Sequence, residues 1–148
     1  MIRLLACAFA ASSLSLPALA GPEDFKPGPA IPTYGKVAAV PDAERLNKDA
    51  VFKIAFDTAA AAEPGKVNRT LESAARFLNM HEAVGIPASN IQLAVVVHGG
   101  AYADLLKRED NASAPLIAAL LKNRVRIILC GQTAAYRDIK KADLVPGV

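Results

Sequence analysis

Val125-Arg126-Ile127-Ile128-Leu129-Cys130-Gly131-Gln132-Thr133 is the stretch on which the fold turns. A short apolar run ended by a turn residue reads as a strand covered on both faces. Gly131 has no Cβ and so admits a tight turn. The helix predicted over residues 132–139 then aims its first N–H groups back at the Cys130 sulfur. Those amides lack intrahelical partners, and with the helix dipole they favour an anion, hence thiolate over thiol. A free cysteine titrates near about 8.5, and such a placement commonly lowers that by about one unit or more. The competing reading makes Cys130 a small buried packing residue, as free cysteines often are.

Two further strands precede this one. Residues 51–57, Val-Phe-Lys-Ile-Ala-Phe-Asp, are apolar on both sides of Lys53 and predict a covered strand ending at Asp57. Residues 91–97 are the most continuous apolar run and lead straight into His98-Gly99-Gly100. Paired glycines after a strand mark a tight turn or a close backbone approach. They do not make a dinucleotide fingerprint, because the third glycine and its spacing are absent.

Helices fill the intervals. Leu71, Ala74, Ala75 and Leu78 recur at helical spacing and predict a helix over residues 69–84, capped by Asn68 or Thr70 and stopped by Gly85 and Pro87. Residues 114–123 predict a second, with Pro115 in its first turn and Leu116, Ile117, Leu120 and Leu121 as its buried stripe. Residues 101–107 read as a short helix. Asn68-Arg69-Thr70 and Asn111-Ala112-Ser113 fit a glycosylation pattern, but both lie at helix starts, where Asn and Ser cap. His81 lies one turn beyond Leu78 and reads as a packing or C-terminal helix residue. No second ligand sits at metal spacing from it, so no metal site is expected.

Strand, helix, strand, helix, strand, helix predicts an open, mainly parallel sheet with helices on both faces. Right-handed crossovers gather the carboxyl ends of its strands on one edge, where ligands and reactive groups collect. Asp57, His98 and Cys130 all end strands there. Leu144-Val145-Pro146-Gly147-Val148 could begin a fourth strand without room to complete it.

The amino end has a different character. Residues 1–20 open with one positive charge at Arg3, continue through an apolar core and close on Pro17-Ala18-Leu19-Ala20, the pattern of an export signal cleaved before Gly21. The apolar stretch is too short for a membrane span, so no membrane contact is expected of the mature form. Of the 2 cysteines, Cys7 leaves with the signal, which excludes an internal disulfide. A lone thiol in an oxidising, periplasmic space is a liability unless it is buried, paired between chains or used. Five prolines between Gly21 and Asp42 predict an extended arm over residues 21–48, with an edge contact near residues 34–37, ahead of an α/β domain over residues 49–148. That arm is either a linker or a clasp on a neighbouring subunit. Loss of Arg3 takes the formal charge from +3 to +2, and aromatic content is 5% with no Trp. A basic block and base-stacking platforms are both lacking, which argues against nucleic acid.

Taken together, Val97-His98-Gly99, Leu120-Leu121-Lys122-Asn123 and Ile128-Leu129-Cys130-Gly131-Gln132-Thr133 resemble the DsrE/DsrF-like family. Asn79-Met80-His81 and Leu144-Val145-Pro146-Gly147-Val148 resemble its exported members. The likeness covers roughly residues 51–148. It implies a three-layer α/β/α sandwich with a mainly parallel sheet, usually in oligomers. In the sulfur-relay members the cysteine after the third strand accepts and passes on sulfane sulfur as a persulfide, and Cys130 falls at that position. The family's sheet sets the second and third strands side by side, which implies His98 beside Cys130. Family members continue past the Pro-Gly-Val segment with a further strand and helix, which these residues lack. The relay members of known role are also cytoplasmic, whereas this chain carries an export pattern.

Three functions follow as expectations. The first is a periplasmic sulfur carrier or thiol-exchange protein, with Cys130 as nucleophile, His98 as donor or base, and Gly99, Gly131, Gln132, Thr133 and Asp57 forming the surrounding site. Its partners would be further copies of the chain and a sulfur-donor or acceptor protein, with no cofactor. The second is a binding module in which Cys130 only packs. The third is an assembly subunit whose arm clasps a neighbour. A hydrolase is disfavoured: no Gly-x-Ser-x-Gly elbow is present, and the Cys/His pair has no evident third member in the sequence.

Overall fold

A computed structural model gives the structure of the protein over residues 21–148. The export signal expected over residues 1–20, with Arg3 and Cys7, lies outside the described residues. Three strands form one parallel sheet in the order β1 (Phe52–Thr58), β2 (Ile91–Val97), β3 (Arg126–Leu129). Parallel neighbours need long crossovers. These are supplied by α1 (Arg69–Ala83) between β1 and β2, and by α2 (Ala114–Lys122) between β2 and β3. A short helix, α3 (Gly131–Arg137), leaves the end of β3. This is the parallel α/β sandwich plan predicted from the alternation of elements.

The pleat decides which side chains are buried. Ile91, Leu93, Val95 and Val97 point to one face and are buried. There they meet Leu71, Ala74, Ala75 and Leu78 of α1 and Leu116, Ile117 and Leu120 of α2, in one continuous core. The opposite face presents Lys53, Ala55, Asp57, Gln92, Ala94, Val96, Arg126 and Ile128, which are exposed or half-buried. β1 and β3 are therefore covered on one face among the described residues, not on both as their apolar runs suggested. The polar residues Lys53, Asp57 and Arg126 alternate onto the open side and keep it wet.

His81 is a packing residue, as expected. It is buried, its Nδ1 donates to the Phe77 carbonyl at 2.8 Å, and its ring stacks on Phe77 and meets Phe52 edge-on. Asn68 caps α1 by accepting from the amides of Thr70 and Leu71. Ser113 does not cap α2 in the same manner. Its hydroxyl instead accepts from the Asn68 amide at 2.9 Å, tying the starts of α1 and α2 together.

Two expectations about the chain ends are corrected. Residues 26–37 of the arm are neither a loose linker nor reserved for a neighbour: they fold onto α1 of the same chain. Lys26 and Val37 close an antiparallel bridge, and Ile31 is 2% exposed. Asn79, fully buried on α1, accepts from the amides of Ala30 and Ile31 and donates to the carbonyls of Ile31, Tyr34 and Gly35. Prolines leave backbone groups without sheet partners, and one carboxamide satisfies five polar groups here. Gly35, at φ +62, passes so close to α1 that a Cβ would collide with the Arg76 backbone. At the other end, residues 144–148 do not begin a fourth strand of the sheet. Leu144 bridges Leu106 in antiparallel fashion, and Val145 donates to Leu105 at 2.9 Å and buries its side chain.

Removing the Asn79 carboxamide strands buried backbone groups, each costing about 1–3 kcal/mol. Asn79→Ala is expected to lower the free energy of unfolding by about 2–3 kcal/mol, measured by urea denaturation. A loss below about 0.5 kcal/mol would show that the arm is not anchored there.

Candidate functional site

The site grows out of the ladder between β2 and β3. Val97 pairs with Leu129, and the Cys130 amide donates to the Val97 carbonyl at 2.8 Å, so the strand continues up to the cysteine itself. The next residue along β2 is His98, whose amide donates to Thr58 of β1 at 2.9 Å. His98 and Cys130 are thus neighbours at the carboxyl rim of adjacent strands. By the pleat, both follow the open face of the sheet, the face of Val96 and Ile128.

Cys130 takes an extended conformation, and α3 begins one residue later, at Gly131 rather than Gln132. The sulfur is half-buried. The nearby Thr133 amide, Gln132 amide and Thr133 hydroxyl, in descending order of effect, hold the thiol below its ordinary pKa, while partial burial opposes them. Thr133 has a second task. Its Oγ1 accepts from the Gly99 amide at 3.3 Å, joining the β2 rim to the first turn of α3.

The two glycines of the rim differ in what they do. Gly99 sits at φ +52, and a Cβ there would press on the Ala59 carbonyl oxygen at 3.2 Å, so the close approach expected of it is real. It opens a 3-10 turn over Gly99–Leu105 in place of the helix predicted over residues 101–107. Gly131 does not need the conformational freedom expected of it. Its φ is not in the left-handed region, and a Cβ would meet nothing within 4 Å. The space around Gly131 is open.

Asp57 joins His98 at this rim. His98 Nε2 and Asp57 Oδ2 lie 3.0 Å apart, with the side chains 38% and 71% exposed. Asp57, expected at this rim, bonds the histidine 41 residues downstream and so gives the Cys/His pair the third member that no sequence motif showed, in a row across three adjacent strand ends. Parallel register makes this row, so it is invisible to any local motif.

Beside the expected Gly99, Gln132 and Thr133 stand Tyr136 and Arg137, which the sequence did not mark as site residues. A cleft of about 410 Å³ beside the rim is lined by Gly99, Gln132, Thr133, Tyr136 and Arg137. The Arg137 guanidinium lies 5.1 Å from the Tyr102 ring centre and 5.4 Å from that of Tyr136. Among the described residues no carboxylate lies within ion-pair distance of it. A signal for it existed: two of the 3 tyrosines lie within a few residues of the predicted rim. Among the described residues no three His, Cys, Asp or Glu side chains gather as metal ligands would, and no helix is long and apolar enough to cross a membrane.

The model of one protein family, the DsrE/DsrF-like family, matches residues 50–148 of the chain. No curated protein and no solved structure matches it.

The donors around Cys130 stabilise its deprotonated form. Alkylation by iodoacetamide is therefore expected to rise with pH through a midpoint below that of glutathione measured alongside. Thr133→Val removes one of the three donors and shifts the midpoint upward while leaving both amides in place. A wild-type midpoint at or above that of glutathione would contradict the geometry.

Proposed function

The chain belongs to the DsrE/DsrF-like family, and from that membership, which points to a sulfur-relay role, we propose that it is a sulfur carrier using Cys130 as its persulfide site, exported and acting in the periplasm. The observation that carries this reading is the placing of the lone described cysteine: a half-buried sulfur at the sheet rim faced by the donors of Gln132 and Thr133. Those donors suit a thiolate before transfer and a persulfide anion after it. The open space at Gly131 lets a donor reach the sulfur.

The transfer is a displacement. The Cys130 thiol yields its proton to His98, and the thiolate attacks the outer sulfur of the donor. A new S–S bond forms as the donor's own S–S bond breaks, and the leaving group departs with the electron pair. Thiosulfate releases sulfite in this step, and a polysulfide releases a shorter one. Handing the sulfur to an acceptor thiolate reverses the same exchange. The Arg137 cleft offers a cation to the anionic end of such a donor. On this reading the partners are further copies of the chain and the proteins that deliver and take up sulfur, met at the open sheet face. The export signal read in residues 1–20 supports the periplasmic assignment.

Incubated with thiosulfate or polysulfide, the purified protein from Gly21 onward is expected to gain the mass of one sulfur atom, removable by a thiol reductant and absent from Cys130→Ser. No adduct on the wild type, or an equal adduct on the serine variant, would overturn the proposal. Because His98 matters only while the thiol is protonated, His98→Gln should slow loading by about tenfold or more on the acidic side of the Cys130 midpoint. On the alkaline side it should matter little.

A further inference from the structure

We propose that Asp57 is a positioning residue for the rim: its carboxylate holds the His98 ring in one tautomer, with the proton on Nε2 and Nδ1 left open to Cys130. The inference rests on the sulfur-carrier reading for its consequence, but on geometry for its substance.

Parallel register places Asp57 opposite Val96, so its partner His98 is a diagonal neighbour, two residues further along β2. The backbone of His98 is extended, in continuation of the strand. To bring Nε2 within 3.0 Å of Asp57 Oδ2, the imidazole leans back toward β1. An ionised carboxylate only accepts hydrogen bonds, so the Nε2 facing it carries the proton. A neutral imidazole has one donor and one acceptor nitrogen, so Nδ1 is the acceptor. Nδ1 is the ring nitrogen nearer the backbone, and neighbouring strands run about 4.8 Å apart. Cys130 is the next strand's residue at that level.

Stability does not explain the pair. Both side chains are substantially exposed, and exposed ion pairs contribute little. Orientation does explain it. A histidine free to turn would spend part of its time with the proton on Nδ1, unable to take one from the thiol. When His98 does take that proton, the Asp57 carboxylate faces the imidazolium that results. The proton moves from Cys130 Sγ to His98 Nδ1 while the Asp57 carboxylate only accepts a hydrogen bond, so the step is balanced with no added reactant. Arg137 of α3 also stands near the rim, lining the cleft with Gly99, and Asp104 lies in the turn that Gly99 opens.

The test combines imidazole ¹⁵N chemical shifts with the rate of Cys130 loading by thiosulfate. His98→Gln identifies which of the 2 histidines gives each signal. In the wild type His98 should show the Nε2–H tautomer. Asp57→Ala should give a mixture of tautomers and load about tenfold more slowly or worse, with an unchanged thermal unfolding midpoint. Asp57→Glu should recover part of both signals. In a His98→Gln background, Asp57→Ala should have no further effect on rate. A wild-type tautomer and rate in Asp57→Ala would overturn the proposal, as would an equal rate loss with and without His98. If the wild type takes up no sulfur at all, the carrier reading fails separately. The tautomer and the rate of iodoacetamide labelling of Cys130 then still decide the role of Asp57.

Discussion

The Cys130 amide bonded to the Val97 carbonyl is the contact on which the rim depends. It extends the β2–β3 ladder by one residue past the strand and fixes Cys130 level with His98. Parallel pairing then determines the rest. β1 pairs with the other side of β2, so the chain ends of all three strands face the same way, and residues far apart in sequence share one edge. A slip of one residue in this register would turn Cys130 and His98 to the other face. The buried set Ile91, Leu93, Val95, Val97 and Ile127 opposes such a slip, because it would expose the whole apolar face.

A second, independent construction lies on the helical side of the sheet. The proline arm cannot form helix or central strand, so it needs partners for its backbone. Asn79 supplies them from within α1, and Ile31 seals the contact. The arm thereby closes the outer surface of the helical layer. Among the described residues, the sheet's opposite face, which leads up to Asp57, His98 and Cys130, stays open. One face thus holds the fold together while the other carries the proposed site.

Much of this was legible in the chain. The periodicities of Leu71 to Leu78 and of Leu116 to Leu120 predicted the two long helices, since burial selects those positions directly. The apolar runs at Ile91–Val97 and around Ile128 predicted their strands to within a residue. The strand-to-helix step at Cys130 was visible because a cysteine, a glycine and a helix start stand in direct succession. What escaped the reading depends on partners distant in sequence. Asp57 and His98 were expected at one rim, but their direct contact follows from the β1–β2 register. The Asn79 cluster joins residues more than forty positions apart. Leu144 returns to Leu106 instead of to the sheet, a partner that no local pattern marks. The role of Gly131 was misread because a glycine signals either strain or space, and only coordinates tell which.

The central claim is that the half-buried Cys130 is an anion site shaped to carry a second sulfur. A crystal structure of the polysulfide-treated protein tests it most directly. The account predicts one additional sulfur bonded to Cys130 Sγ, facing the amides of Gln132 and Thr133 with His98 alongside. A bare Sγ turned into the apolar core, away from His98 and from those amides, would contradict it.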